Sequence, residues 1–300
     1  MSSKIKHIIR HNSIVGCFVY IPRKLRIALY GILPRLIKRR VREVVNGGSI
    51  ILTPKNIGIP FEANPCSDIA IRIITTGEYE PEFTKAIQCI SSRENGGTII
   101  NVGANVGIIA LHLARLHSGS KVIAIEPNPE AFQALKRNIV RNGFEKQVEA
   151  VQCCAGEKKG LVQLTVIPDR SEYSSINGIV HPAVVNEKMM VVEVPMLRLD
   201  DMDFNGQNIN ILIIDTEGAE GGVIRGSLEI IRKYNPIIMF ECEDRLLRKF
   251  GDSANGICDL LKAEGYMVRN ALFTREVPTF PFEGEIVAFP KRYAGSTELK

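Results

Sequence analysis

Residues 99–108 read I-I-N-V-G-A-N-V-G-I, and a carboxylate, Glu126, follows nineteen residues after the second glycine. β-Branched residues lead into Gly103 and apolar ones leave Gly107, so the two glycines fall where a strand gives way to a helix. Glycine takes positive φ at little cost, and a glycine turn of this kind brings bare main-chain N–H groups close to a ligand. An acid at the end of the following strand is the complement, because one carboxylate accepts both hydroxyls of a ribose. The alternative role for Glu126 is a charge at a helix N-terminus, worth ~0.3–1 kcal/mol.

The turn also limits the nucleoside. A dinucleotide fold uses G-x-G-x-x-G to seat a pyrophosphate on a helix N-terminus. Here the turn is G-A-N-V-G, with a side chain at 105 where a diphosphate would approach. The spacing suits a phosphate-free nucleoside such as S-adenosylmethionine.

Further acids gather where strands should end. Asp215 closes the run I-N-I-L-I-I-D, with Glu217 and Glu220 after it, and Glu241 and Glu243 follow P-I-I-M-F. An aliphatic hydroxyl is a weak nucleophile near neutral pH, and a positioned base helps by ~10²–10⁴-fold. Asp215, Glu241 and His181 are the candidates. Each has a plainer role: helix cap for Asp215, loop anchor for Glu241, exposed loop residue for His181. Glu217 and Glu220 suit a helix dipole. His112 is expected to be structural, and His117 to answer the dipole at a helix end. Clustered carboxylates can hold Mg²⁺, but their spacing matches no closed ligand motif, so a metal stays unknown.

The elements that must position these residues alternate strand and helix: strands at 98–102, 121–125, 148–153, 209–215, 236–240, 266–271 and 286–289, with helices at 105–117, 129–142, 220–234 and 253–264. Asn128 suits an N-cap and Pro129 the first helical position. The near-continuous apolar run before Asp215 fits a strand covered on both faces. Residues 161–167 read as an extra strand, and 168–190 as one long irregular insert. Upstream, 82–91 reads as helix, while Val44-Val45, 50–53 and 69–74 look extended. The pattern is an α/β doubly wound sheet. It divides into a basic extension 1–44, a lead-in 45–95, a nucleoside-binding domain 96–291 and a tail 292–300.

Charge is uneven. Residues 1–44 carry eleven Lys/Arg and one acid, whereas the whole chain is +5. The longest apolar run there, Ile14 to Ile21, is far short of the ~20 residues a bilayer span needs. The segment can pack as a solvated basic helix or touch an anionic membrane surface. Nucleic acid is the weaker partner, because aromatic platforms are scarce. Seven cysteines without a metal or disulfide spacing suggest reduced, mostly buried thiols and a cytoplasmic protein, peripheral to the membrane at most.

The blocks N-V-G-A-N-V-G (101–107), E-P-N-P-E-A-F-Q-A-L-K-R-N (126–138), L-R-L-D-D (197–201), I-D-T-E-G-A-E (214–220) and P-I-I-M-F-E (236–241) together resemble the FkbM family of S-adenosylmethionine-dependent methyltransferases. The resemblance covers about residues 77 to 290. It implies a class I methyltransferase (Rossmann-like) sheet of seven strands, the last antiparallel, and methyl transfer to a hydroxyl of a glycan, lipid-linked glycan or secondary metabolite. By the same match Gly103, Ala104, Asn105 and Gly107 line the cofactor, Glu126 holds its ribose, and Asp215 lies by its methionine part or the acceptor. Asn101 and Pro127 flank these positions. Asn101 stands where an aspartate is common, and Ile213 where lysine is. No acid ends the third strand, so adenine recognition falls to the backbone around Ala155 and Gly156. Two other readings are an NAD-dependent oxidoreductase, disfavoured by the missing G-x-G-x-x-G, and a non-catalytic membrane-surface scaffold.

Overall fold

The computed structural model describes residues 48–94, 96–176, 178, 184, 186–271 and 282–293. The basic extension 1–44 and His181 lie outside them. Two compact units divide between Pro81 and Glu82.

In the first unit β1 (Ile50–Leu52) pairs antiparallel with β2 (Phe61–Ala63), Ile50 opposite Ala63. A helix, α1 (Asp68–Thr76), follows. This corrects the extended reading of 69–74. The β-branched run suggested a strand, but Ser67 accepts the Ala70 N–H at 3.1 Å and Gly77, at φ 80°, returns its N–H to Ile73. Caps at both ends and burial of Ala70, Ile71 and Ile73 on one face outweigh the weak propensity of isoleucine.

The second unit carries α2 (Pro81–Ser91) and then the alternating elements β3 (Thr98–Val102), α3 (Ile108–Leu116), β4 (Lys121–Ile125), α4 (Pro129–Arg141) and β5 (Val148–Val151). One short strand and a longer antiparallel pair form a separate sheet: β6 (Cys154–Ala155), β7 (Gly160–Val166) and β8 (Met190–Leu197), ordered β6-β8-β7. The chain returns through β9 (Ile209–Ile214), α5 (Glu220–Arg225), α6 (Leu228–Tyr234), β10 (Ile237–Glu243), α7 (Asp244–Leu247), α8 (Ala254–Ala263), β11 (Tyr266–Asn270) and β12 (Glu283–Pro290).

The main sheet runs β11-β12-β10-β9-β3-β4-β5. Neighbours from β10 to β5 are parallel, and β12 is antiparallel to both of its partners. This is the expected seven-stranded class I arrangement. Every residue of β3 and β9 is buried, as a strand covered by helices on both faces requires. Ile100, Val102, Leu212, Ile214, Ile238 and Phe240 form the core on one face, closed by Val223, Ile231 and Leu261.

Four expectations change. Helix α3 starts at Ile108 rather than Asn105, because Asn105 (φ 48°) and Gly107 (φ 95°) are both left-handed. The strand read at 148–153 stops at Val151 and resumes in the small sheet. The helix read at 220–234 is two: a Cβ at Gly226 would lie 2.0 Å from the Gly156 carbonyl oxygen, so the chain turns there against a neighbouring loop. Strand β8 was not anticipated; Pro195 argues against an interior strand, yet it precedes the two residues, Met196 and Leu197, that pair with β6.

Candidate active site

The order of strands reverses at β3, which lies between β4 and β9, and a crevice opens beyond the carboxyl ends of such strands. The ends are held close. Asp215 donates its N–H to Val102 at 3.0 Å, and Gly103 and Ala104 both donate to the Ile125 carbonyl at 2.9 Å. Gly103 has φ 78°, and a Cβ there would lie 1.6 Å from the Asp215 carbonyl oxygen. Gly107 has φ 95°, and its Cβ would meet Leu135 Cδ1 of α4 at 2.5 Å. The glycines thus bring strand end to strand end and helix to helix, and this shapes the turn.

Glu126 is buried at 5% exposure. Its Oε2 accepts the main-chain N–H of Asn105 at 2.7 Å and its Oε1 that of Asn128 at 2.8 Å. One carboxylate thereby bridges the loop after β3 and the loop after β4. Burial pushes the Glu126 carboxyl up to about 7, against the pull of these two N–H groups toward the ionised form. Each oxygen keeps a further lone pair for a hydroxyl. Asn128 also caps α4, accepting the Glu130 N–H at 2.9 Å through Oδ1, with Pro129 next, as its sequence implies.

Asn101 is 2% exposed on β3, and its Oδ1 has no hydrogen-bond partner among the described residues. A buried acceptor left open is costly unless something donates to it. Ala104 is buried beside Gly103, Pro127 is half-buried after Glu126, and Ala155 is buried at the end of β6, where the following Gly156 N–H bonds Leu197.

Beyond β9 and β10, Asp215, Glu217 and Glu241 are half-buried and each offers one oxygen within 4.8 Å of the others. Burial raises the Glu241 carboxyl well above its usual range, and Asp215, Glu217, Glu220 and Glu285 push it the same way. Glu220 has another task. Its Oε1 accepts the Thr216 N–H and hydroxyl, both at 2.9 Å, and the Gly218 N–H at 3.1 Å. The last acid of I-D-T-E-G-A-E therefore ties its own loop, and Asp215 stands at the start of that loop. In L-R-L-D-D, Asp200 accepts the Ile230 N–H at 3.0 Å and pairs with Arg198, so it fixes the start of α6.

The two helical histidines stay out of the chemistry. Burial lowers His112 to about 4, with Arg115 adding to the effect, and keeps it neutral as a core residue. Burial also lowers His117, despite Glu94, which works against the charge that a dipole partner carries.

Sequence reasoning missed Ser171 and Ser174, in and beside a 3₁₀ turn (Ser171–Tyr173) of the 168–190 insert. Ser171 donates its hydroxyl to Asn105 Oδ1 at 2.8 Å, and Ser174 accepts from Asn128 Nδ2 at 2.8 Å. No local pattern signals contacts made 66 and 46 residues apart.

The Methyltransferase FkbM domain family model matches residues 101–268. The chain is 28% identical over 173 residues to methyltransferase sdnD of Sordaria araneosa, covering 49% of this chain and 67% of that protein. It is 28% identical over 160 residues to the 31-O-demethyl-FK506 methyltransferase FkbM of Streptomyces tacrolimicus, covering 44% of this chain and 59% of that relative. Among solved structures, methyltransferase FkbM from Methylobacillus flagellatus is similar at a TM-score of 0.43 and 16% identity, over 65% of this chain and 44% of the other.

Proposed function

The chain belongs to the FkbM methyltransferase family, and from that premise we propose that it is an S-adenosylmethionine-dependent O-methyltransferase whose acceptor is a hydroxyl on a glycan, lipid-linked glycan or secondary metabolite. The observation that carries this reading is the buried Glu126 carboxylate, held at 2.7 and 2.8 Å across the ends of β3 and β4. An acid fixed there by main-chain donors has its remaining lone pairs available to two adjacent ribose hydroxyls. The open Oδ1 of buried Asn101 offers an acceptor to a donor on the same ligand. Ala104 and Pro127 flank the turn, and the main chain at Ala155 lies where a base would be met, with the Gly156 N–H bonded to Leu197 beside it. These residues fit an adenosyl ligand.

When bound, S-adenosylmethionine supplies a methyl carbon already activated by its sulfonium. The protein has to align an acceptor oxygen about 3 Å from that carbon and relieve it of its proton. Asp215 leads in this role, because it begins the loop that Glu220 braces and stands where β3 and β9 diverge. Its carboxylate oxygen would take the proton of the acceptor hydroxyl. Glu241 lies within the same acid group and accepts neighbouring acceptor hydroxyls. Its raised proton affinity lets it hold a proton and donate as well as accept.

The test is transfer of a labelled methyl from S-adenosylmethionine to glycan and lipid extracts. Asp215→Asn should lower the rate by ~10²-fold or more while cofactor affinity holds. Unchanged transfer by Asp215→Asn would remove Asp215 as the base.

A further inference from the structure

The small sheet sends one turn back over the main sheet. Thr165 of β7 and Ser175 exchange main-chain hydrogen bonds at 2.9 and 3.1 Å, which holds the base of the turn. Inside it, Ser171 donates to Asn105 Oδ1, and the Ser174 hydroxyl accepts from Asn128 Nδ2 while donating to the Ser171 carbonyl at 2.8 Å. The Arg170 guanidinium stacks on the Tyr173 ring at 4.7 Å and pairs with Glu187 at 3.5 Å. Asn128, gripped by Ser174, is itself the N-cap of α4. The turn is thus stapled to the loop after β3, the loop after β4 and the start of α4.

The two asparagines it grips are also the residues whose N–H groups hold Glu126. Each presents its main chain to the carboxylate and its side chain to a serine. We propose that Ser171 and Ser174 are positioning residues for the nucleoside: they fix Asn105 and Asn128, and through them the orientation in which Glu126 meets a ribose diol. Asn105 needs such a hold. It sits at φ 48°, a left-handed conformation that asparagine tolerates better than most residues but that contacts from outside the turn still help to hold. The hydroxyl of Ser171 supplies that constraint from outside the turn. The inference rests on Glu126 as the ribose acceptor, and its test separates the two.

The experiment compares S-adenosylhomocysteine with its 2′,3′-dideoxyribose analogue by calorimetry. Wild type should prefer the parent by about tenfold or more, the size of a hydrogen bond to a charged group. Ser171→Ala with Ser174→Ala should shrink that preference to under about threefold, with most of the loss on the parent ligand. Ser171→Thr with Ser174→Thr keeps both hydroxyls and should restore it. A double alanine variant that melts with wild type yet discriminates fully overturns the proposal and leaves the Glu126 reading intact. A wild type that binds neither compound overturns both. In wild type, S-adenosylhomocysteine should also slow amide exchange across 169–175; unchanged exchange there counts against the proposal even if the alanine variant fails to fold.

Discussion

The Glu126 carboxylate accepts the main-chain N–H of Asn105 at 2.7 Å across 21 residues of sequence, joining two loops that leave neighbouring parallel strands. The contact makes a turn of left-handed residues rigid, and it keeps a charge-bearing group where water scarcely reaches. A buried carboxyl is costly to ionise. On the proposed reading, it is kept at the mouth of the sheet for a ligand with hydroxyls to donate.

On that reading, nucleoside affinity should depend on pH. Only the ionised carboxylate accepts two ribose hydroxyls as well as two N–H groups. With its carboxyl raised to about 7, affinity for S-adenosylhomocysteine should rise roughly tenfold between pH 6 and pH 8. Stability of the unliganded protein runs the other way. Glu126 holds its proton more tightly folded than unfolded, so its contribution is full below the ordinary carboxylate range and is lost as pH rises through about 7. The melting shift produced by ligand should therefore be larger at pH 8 than at pH 6. Scanning calorimetry at both values checks it, and a pH-independent shift would contradict it.

The glycines should rank by what a methyl would meet. Gly103→Ala drives a Cβ to 1.6 Å from main-chain oxygen at positive φ, so it should cost over ~3 kcal/mol and abolish binding. Gly107→Ala meets the tip of a side chain, Leu135 Cδ1, at 2.5 Å rather than main chain, again at positive φ, and should cost less. Gly119→Ala meets nothing within 4 Å and should stay within about 0.5 kcal/mol. Urea melts give the order; a Gly103→Ala as stable as Gly119→Ala would mean the strand ends are not packed this way.

Glu241 should show a trade between stability and function. Burial and four acidic neighbours oppose its ionisation, so its stabilising contribution fades as pH rises above the usual carboxylate range. Glu241→Gln removes that charge. The variant should melt roughly 2–4 °C higher at pH 8, the shift that ~1 kcal/mol gives a chain of this size. Methyl transfer should fall at the same time. A lower melting point would show that the charge is compensated in the folded state.

Much of this was legible in the sequence because it is local. The apolar run 209–214 marks a doubly covered strand, Asn128-Pro129 marks a helix start, and Gly103 and Glu126 mark the ends of two strands that the fold sets side by side. What stayed hidden depends on distant partners. The run 69–74 looked extended until Ser67 and Gly77 were seen to cap it. The break between α5 and α6 exists because Gly226 abuts Gly156, 70 residues earlier in the chain. Ser171 and Ser174 are ordinary loop serines until the fold lays them on Asn105 and Asn128. The glycine turn was legible as a turn, but not that Gly107 makes room for Leu135.

Calorimetric titration of S-adenosylhomocysteine into wild type and Glu126→Ala tests the central claim most directly. Wild type should bind in the micromolar range. The alanine variant, confirmed folded by its melt, should lose at least about tenfold, since each ribose hydroxyl loses a charged acceptor and the N–H groups of Asn105 and Asn128 are left buried without one. Absence of heat with wild type, or equal affinity in both proteins, would contradict the assignment of Glu126 and with it the nucleoside site.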